Sequence, residues 1–250
     1  MPIFTSMLLC VPVCFALNSC SDDDDSPNPG SGKQLMSIMN VTDGYAVFKD
    51  AVYENGKLVS FSEGDDNYNY NYRLELRGKE ASIIETSSDG EPYTVDLTIE
   101  NGLATSADFS DEIYDFQYTK DKIMSGWENG ETSCCKIKFD ADGDIIEGDI
   151  ISTITYICKE QTWRYTDSKV TSPIPNKGNI KLYGKWDIMY DYEYYTFFDV
   201  FGNGPKHLPV KVGNCSYDWT LDSDGYPTKV LITYTDGEYK SDQELSFTWK

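Results

Sequence analysis

The chain has 250 residues, of which 40% are hydrophobic and 14% aromatic, enough for one sizeable hydrophobic core. Its 42 acidic residues outnumber 21 basic residues and give a formal net charge of −21 at pH 7. A charge of this sign is repelled by nucleic acid phosphates and gains nothing from anionic lipid headgroups, which argues against nucleic-acid binding.

Residues 1–19 form an apolar run that is too short for a comfortable membrane span and predicts a secretory signal peptide. The sequence Leu17-Asn18-Ser19-Cys20 resembles a bacterial lipobox, in which Cys20 is lipidated and becomes the new N-terminus. The SDDDD run that follows resembles the surface-export signal of Bacteroidetes lipoproteins. We therefore expect Cys20 to anchor the protein in the outer membrane, exposed at the cell surface.

The remaining chain divides into a linker and one domain. Residues 20–34 combine the expected lipidated cysteine with acidic residues and a Pro/Gly/Ser-rich stretch, which predicts a flexible tether. Residues 35–250 are expected to form a single domain, because β-rich domains often reach this length.

Within this domain, alternating apolar and polar residues recur between Asp-Gly or Asn-Gly pairs. Tyr217, Trp219 and Leu221 alternate with polar residues, as in a strand with one buried face. Asn55-Gly56 between two apolar runs is a strong hairpin signal. Similar stretches occur at 70–76, 93–99, 114–118, 145–156 and 230–234. The pattern predicts an all-β fold, an antiparallel β-hairpin meander that forms a curved sheet or barrel-like domain.

One aromatic-rich stretch departs from this pattern. Residues 186–201, WDIMYDYEYYTFFDVF, do not alternate and contain no turn residue before Gly202. They could form one amphipathic helix or a pair of aromatic strands, and the pattern slightly favours the helix. We predict one short helical or irregular insert around residues 186–207.

Several segments resemble a Bacteroidetes lipoprotein family of unknown function with a porin-like all-β fold. They are FGNGPKHLP at 201–209, LDSDGYPTK at 221–229, NGLA at 101–104 and the strand at 114–123. The resemblance covers most of residues 35–250 and implies an all-β fold, but the family has no assigned catalytic residues to transfer. A lipid-facing barrel needs outward apolar bands, so for this acidic domain porin-like describes only a curved or barrel-like sheet.

Candidate reactive groups favour structural roles. The clustered carboxylates at 140–144 and 222–225 suit calcium, but the glycine is fourth instead of sixth, which favours hairpin turns. The only histidine, His207, has no GxSxG motif nearby, so a loop or surface position is expected. Cys134, Cys135, Cys158 and Cys215 show no zinc spacing, and both disulfides and buried thiols remain open. We expect no catalytic residues, no metal and no cofactor.

The aromatic residues are the most suggestive feature. Planar rings on an exposed surface can stack on sugar rings, while polar neighbours bind the hydroxyls. Residues 186–195 hold more rings than a core requires, so Trp186, Tyr190 and Tyr194 are predicted to bind ligand. By contrast, Trp219 and Phe247 alternate with polar residues and are expected to face inward, with Tyr217 and Trp249.

Two functions fit these observations. The first is a surface-anchored bacterial lipoprotein that acts as a non-catalytic binding module, with glycan as the ligand class. The alternative is a structural or assembly protein of the cell envelope, whose partner is another protein.

Overall fold

The computed structural model describes residues 32–250 except 89, 111, 130–131, 140–144, 155–156, 165–173, 182–194 and 213. It gives the strands between 132 and 164 by their backbone only. The predicted lipidation site Cys20 lies outside the described residues, as do the three predicted ligand-binding residues Trp186, Tyr190 and Tyr194.

The described residues form one sheet of sixteen strands, and every neighbouring pair is antiparallel. The strands are β1 (Leu35–Asn40), β2 (Tyr45–Glu54), β3 (Lys57–Gly64), β4 (Asn69–Arg77), β5 (Glu80–Ser87), β6 (Tyr93–Glu100), β7 (Leu103–Asp108), β8 (Ile113–Tyr118), β9 (Met124–Asn129), β10 (Thr132–Phe139), β11 (Ile145–Ile154), β12 (Ile157–Arg164), β13 (Lys211–Val212), β14 (Cys215–Leu221), β15 (Pro227–Asp236) and β16 (Tyr239–Trp249). This confirms the predicted all-β fold.

The strand order is β12 through β1 in sequence, followed by β16, β15, β14 and β13. Among the described strands, only β1 and β16 pair although they are distant in the chain, and the pairing runs from Leu35 opposite Trp249 to Asn40 opposite Leu245. Among the described strands, β12 and β13 form the two edges and do not pair with each other, so the sheet is open between them.

Local turn chemistry explains the hairpins. Asn55 and Gly56 have φ angles of 51° and 78°, and Asn101 and Gly102 have 53° and 82°. Two consecutive residues with positive φ give a turn whose twist matches that of the flanking strands, and Asn-Gly adopts it at low cost. The Asn-Gly hairpin predicted between β2 and β3 is confirmed.

The hydrophobic core covers one face of the sheet. Tyr217, Trp219 and Phe247 are 8%, 9% and 4% exposed, and Trp249 is half-buried against the core. Their predicted inward orientation is confirmed. Burial of such large side chains supplies much of the apolar stabilisation of a domain of this size.

The described part of the predicted insert, residues 195–207, contains two short 3-10 helices, Tyr195–Phe197 and Asp199–Phe201, followed by an irregular segment. Phe198 between them is 0% exposed, and its ring centroid lies 5.4 Å from that of Phe61 on β3. The insert therefore packs on the core face of the sheet. No helix in the part of the chain that the structure describes is long and apolar enough to cross a membrane.

The meander has two ends, because the connections between antiparallel strands alternate between them. The tether end, where β1 begins, carries the connections at 55–56, 78–79, 101–102, 119–123 and 222–226. The acidic end carries those at 41–44, 65–68, 88–92, 109–112 and 237–238. The described residues of the acidic-end connections include six acids and no Lys or Arg: Asp43, Asp65, Asp66, Glu91, Glu112 and Glu238.

Candidate functional site

Tyr195 links the insert to the sheet near the acidic end. Its side chain is 6% exposed, and its hydroxyl donates a hydrogen bond of 2.7 Å to Glu85 Oε2 on β5. Its ring centroid lies 5.8 Å from that of Tyr72 in an edge-to-face arrangement. Burial, together with the hydrogen bond to Glu85, raises the pKa of Tyr195 and keeps its hydroxyl a donor.

A second tyrosine–carboxylate pair lies beside the first. Tyr72 on β4 donates a hydrogen bond of 2.6 Å to Oε1 of Glu63 on β3, and both residues are buried. Burial raises the pKa of Tyr72. The hydrogen bond to Glu63 and the negative charge of Glu63 raise it further. The charge of Glu85 also acts on Tyr72, so the two carboxylates and two tyrosines form one electrostatic unit.

A third pair extends the unit to the surface. Tyr114 on β8 donates a hydrogen bond to the exposed Glu112. The ring of Phe109 lies 5.6 Å from that of Tyr114 and 5.8 Å from that of Tyr195, measured between centroids. We call this set the Tyr–Glu cluster; its members are Glu63, Tyr72, Glu85, Phe109, Glu112, Tyr114 and Tyr195.

A small apolar cleft adjoins the cluster between β8, β9 and the 3-10 helices. Its lining residues are Phe109, Tyr114, Phe116, Met124, Trp127, Tyr195, Thr196 and Phe201. Most of this surface is aromatic, and Phe109 and Tyr114 place one side of it at the acidic end. The cleft volume of about 10 Å³ is room for about one water molecule, and most of its lining residues are buried in the core.

Tyrosine hydroxyls fix the carboxylates of the cluster in place. Among the described residues, no group of three or more His, Cys, Asp or Glu side chains could hold a metal ion. Each carboxylate of the cluster instead accepts a hydrogen bond from a tyrosine hydroxyl, which fixes its orientation.

At the tether end, the main polar contacts are ion pairs between opposite charges. The amine of Lys33 lies 2.7 Å from Asp222 Oδ2 and 2.6 Å from Asp224 Oδ2, and 5.3 Å from the ring centroid of Tyr226. The backbone N–H of Lys33 donates to the Tyr226 hydroxyl at 3.1 Å, and Gln34 exchanges two backbone hydrogen bonds with Lys250. The sequence predicted a hairpin turn at 222–225, and the structure confirms it and shows that the turn also holds the start of the domain.

Two buried polar residues hold the loops that cross the core face. The amide nitrogen of Asn176 donates to the carbonyls of Ile180 and Pro205, both at 2.8 Å. The amine of Lys181, which is 7% exposed, donates to the Phe198 carbonyl at 2.9 Å. Burial lowers the pKa of Lys181 to about 8, partly offset by the charge of Asp199.

The three predicted ligand-binding residues, Trp186, Tyr190 and Tyr194, lie outside the described residues, but their neighbour Tyr195 is a core residue. Sequence reasoning missed Glu63 and Glu85. The sequence did contain a local indication for Glu63. Glu63 lies two residues after Phe61 on the same strand, so both side chains point to the inward face. An acidic residue at an inward position is unusual and marks a candidate polar site.

Comparisons with known proteins give the fold. No protein-family model matches the chain, and no curated protein matches it. The crystal structure of a porin-like protein from Bacteroides uniformis is similar, with a TM-score of 0.64, 14% identity, and coverage of 89% of this chain and 98% of that one. A porin-like protein from Bacteroides vulgatus has a TM-score of 0.53 and 12% identity, covering 87% of this chain and 99% of that one. The chain shares the fold of these proteins. Identities this low support the fold alone, and they agree with the porin-like all-β fold expected from the sequence.

Proposed function

We propose that the protein is a surface-anchored lipoprotein of the Bacteroidetes family that it resembles, and that it acts as a non-catalytic glycan-binding module. The observation that carries this proposal is the partly exposed edge of the Tyr–Glu cluster, where Phe109 packs against Tyr114 and Tyr195, whose hydroxyls hold Glu112 and Glu85. Sugars present both C–H faces and hydroxyl groups, and this combination of side chains complements both.

The position of the tether supports a role at the cell surface. Lys33 is held at the tether end, whereas Phe109 and Glu112 lie at the acidic end. An anchor at Cys20 would therefore leave the Tyr–Glu cluster on the side of the domain away from the point of attachment.

The proposed binding residues form two groups. Trp186, Tyr190 and Tyr194 are proposed from the aromatic density of the sequence. They lie within residues 186–194, the stretch that ends next to Tyr195, and Tyr195 belongs to the Tyr–Glu cluster. We propose that both groups serve one ligand site.

A glycan array probed with the full-length protein tests this function. Binding is expected, and Glu112→Gln is expected to weaken it by about tenfold, because a hydrogen bond to a charged acceptor is lost. Glu100→Gln at the tether end is the matched control, since it removes the same exposed charge. Trp186→Ala, with Leu76→Ala as its control, tests the first group of residues. Failure to bind any glycan would contradict the proposal.

The non-catalytic part of the proposal has its own test. Each bound glycan is incubated with the protein and analysed by mass spectrometry, and intact glycan is the expected result. Cleavage products that disappear in Glu63→Gln or Glu85→Gln would instead assign the two carboxylates to hydrolysis.

The second candidate is an envelope assembly protein, favoured by the edge strand β12. Over Ile157–Arg164 this strand pairs with β11 and with no other described strand. An edge of this length can accept a strand from a partner. Crosslinking on intact cells tests this candidate: a protein crosslinked through β12, together with no glycan binding, would favour it.

A further inference from the structure

The strand that follows the tether, β1, lies in the interior of the sheet and is held on both sides. It pairs with β16 on one side and with β2 on the other, and both pairings are antiparallel. A tether fastened at Cys20 would load β1 first, because the chain enters the domain through residues 32–34, directly before this strand. We propose that β1 and its two neighbours form a mechanical clamp, which keeps the domain folded when a ligand held at the acidic end is pulled away from the membrane. This inference rests on the proposed function, since it needs an anchor at one end and a ligand at the other.

The direction of the load determines how β1 resists it. The strand runs from the tether end to the acidic end, so a pull between the two ends acts along the strand. Hydrogen bonds between antiparallel strands are perpendicular to the strand direction. The load therefore shears the two ladders of β1, and their hydrogen bonds must break together instead of one after another.

Buried side chains and hydroxyl contacts oppose sliding of β1. Leu35 and Ile38 on this strand are buried in the core. The hydroxyl of Tyr53 on β2 donates a hydrogen bond of 2.7 Å to the Leu35 carbonyl, and the hydroxyls of Ser37 and Thr248 lie 2.6 Å apart across β1 and β16. A slip of one residue would break these contacts and turn the buried side chains of β1 toward the outer face of the sheet.

The residues just before β1 extend the clamp toward the tether. Gln34 exchanges two backbone hydrogen bonds with Lys250, which adds one more pair to the β1–β16 ladder. The Lys33 amine contacts Asp222 and Asp224, but solvent screens these ion pairs. The backbone ladders of β1 therefore carry most of the load.

A second direction of pull on the same strand provides a control. Lys250 follows β16 at the tether end, next to the point where the chain enters β1. A pull between the N-terminus and Lys250 acts across the β1–β16 pair, along its hydrogen bonds. These bonds then break one after another, starting from the pair between Gln34 and Lys250.

Single-molecule force spectroscopy of the full-length protein compares the two directions. One handle is attached at the N-terminus. The other is attached to an azide-bearing phenylalanine that replaces either Tyr239, which is 63% exposed at the acidic end, or the exposed Lys250 at the tether end. We expect the unfolding force to be at least about twofold higher with the handle at position 239, because forced unfolding follows the unfolding rate and the sheared ladders must break as a whole. Equal forces, or a lower force at position 239, would overturn the clamp.

A pair of variants tests the contact at the start of β1. Tyr53→Phe removes the hydrogen bond to the Leu35 carbonyl and should lower the force measured with the handle at position 239. Tyr68→Phe, at an exposed position of the acidic end, should leave that force unchanged. Equal forces in the two variants would contradict a clamp at the start of β1. The pulling experiment uses no ligand, so failure of the clamp and failure of glycan binding on the array are separate results.

Discussion

Polar connections line both ends of the sheet. The tether end contains ion pairs between opposite charges, whereas the acidic end contains carboxylates bonded to tyrosine hydroxyls. At the tether end, Lys33 is bound by Asp222 and Asp224, so opposite charges fasten the start of the domain to the β14–β15 connection. At the acidic end, tyrosine hydroxyls hold Glu85 and Glu112 beside aromatic rings. One end therefore fastens the start of the domain, and under the proposed function the other end offers the exposed Glu112 and the half-buried Phe109 and Glu85 to a ligand.

The largest effect is expected where the insert packs on the core face of the sheet. Phe198→Ala removes a fully buried ring in contact with Phe61 and should lower the free energy of unfolding by about 3–5 kcal/mol. Urea denaturation measures this change. Tyr239→Ala, at a position that is 63% exposed, is the control and should have little effect. A small loss for Phe198→Ala would mean that the insert does not stabilise the sheet.

Lys181 should make stability depend on pH. Its pKa is lowered from 10.5 to about 8 by burial, so between these values the unfolded chain binds a proton that the folded chain does not. The free energy of unfolding should therefore rise with pH across this window, by up to about 3 kcal/mol. Lys181→Met should flatten this rise, and at the pH where the folded amine is neutral it should cost stability, because the Phe198 carbonyl loses its hydrogen bond. An unchanged slope in the variant would show that Lys181 is not its source.

The tyrosines of the acidic end should produce the opposite slope at higher pH. The pKa of Tyr72 is raised in the folded protein, so above about pH 10 the unfolded chain loses this proton first and stability falls. Tyr72→Phe should make this decline shallower, and it should cost about 1–3 kcal/mol at pH 7 by removing the hydrogen bond to buried Glu63. Tyr68→Phe, at an exposed position of the same end, should change neither quantity. If the stability of Tyr72→Phe fell as steeply above pH 10 as that of the unmodified protein, other residues would be its cause.

The smallest effect is expected at the tether end. The side chain of Lys33 is 35% exposed and that of Asp224 60%, so solvent screens these ion pairs and Lys33→Ala should leave the urea midpoint almost unchanged. The variant should instead increase hydrogen exchange at the Lys33 amide, which is bonded to Tyr226. Thr42→Ala at the other end of β1 is the control. An exchange rate equal to that of the unmodified protein would show that the ion pairs do not hold the tether.

The sequence predicted the hairpins because their determinants are local. Asn55-Gly56 specifies a turn by its backbone preference, and the alternation around Trp219 shows which face of the strand is buried. The strands β9 and β12 were missed, since MSGWEN and ICKEQTWR do not alternate cleanly. The pairing of β1 with β16 could not be predicted, because nothing near Leu35 specifies a partner more than 200 residues away.

The candidate site was harder to predict than the fold. Tyr195 was grouped with the ligand-binding aromatic residues, but its environment depends on Tyr72, Glu85 and Phe109, which come from three other parts of the chain. Contacts of this kind follow from the order of strands in the sheet, which periodicity does not show. Only Glu63 carried a local signal, as an acid at an inward position of β3.

Hydrogen exchange of the full-length protein, with and without the tightest-binding glycan from the array, locates the binding site. We expect slower exchange at the acidic end, at residues 109–112 and at the start of β8 (Ile113–Tyr118), with no change at residues 222–226 of the tether end. Protection confined to the tether end, or a bound glycan that protects neither end, would contradict the assignment of the Tyr–Glu cluster as the binding site.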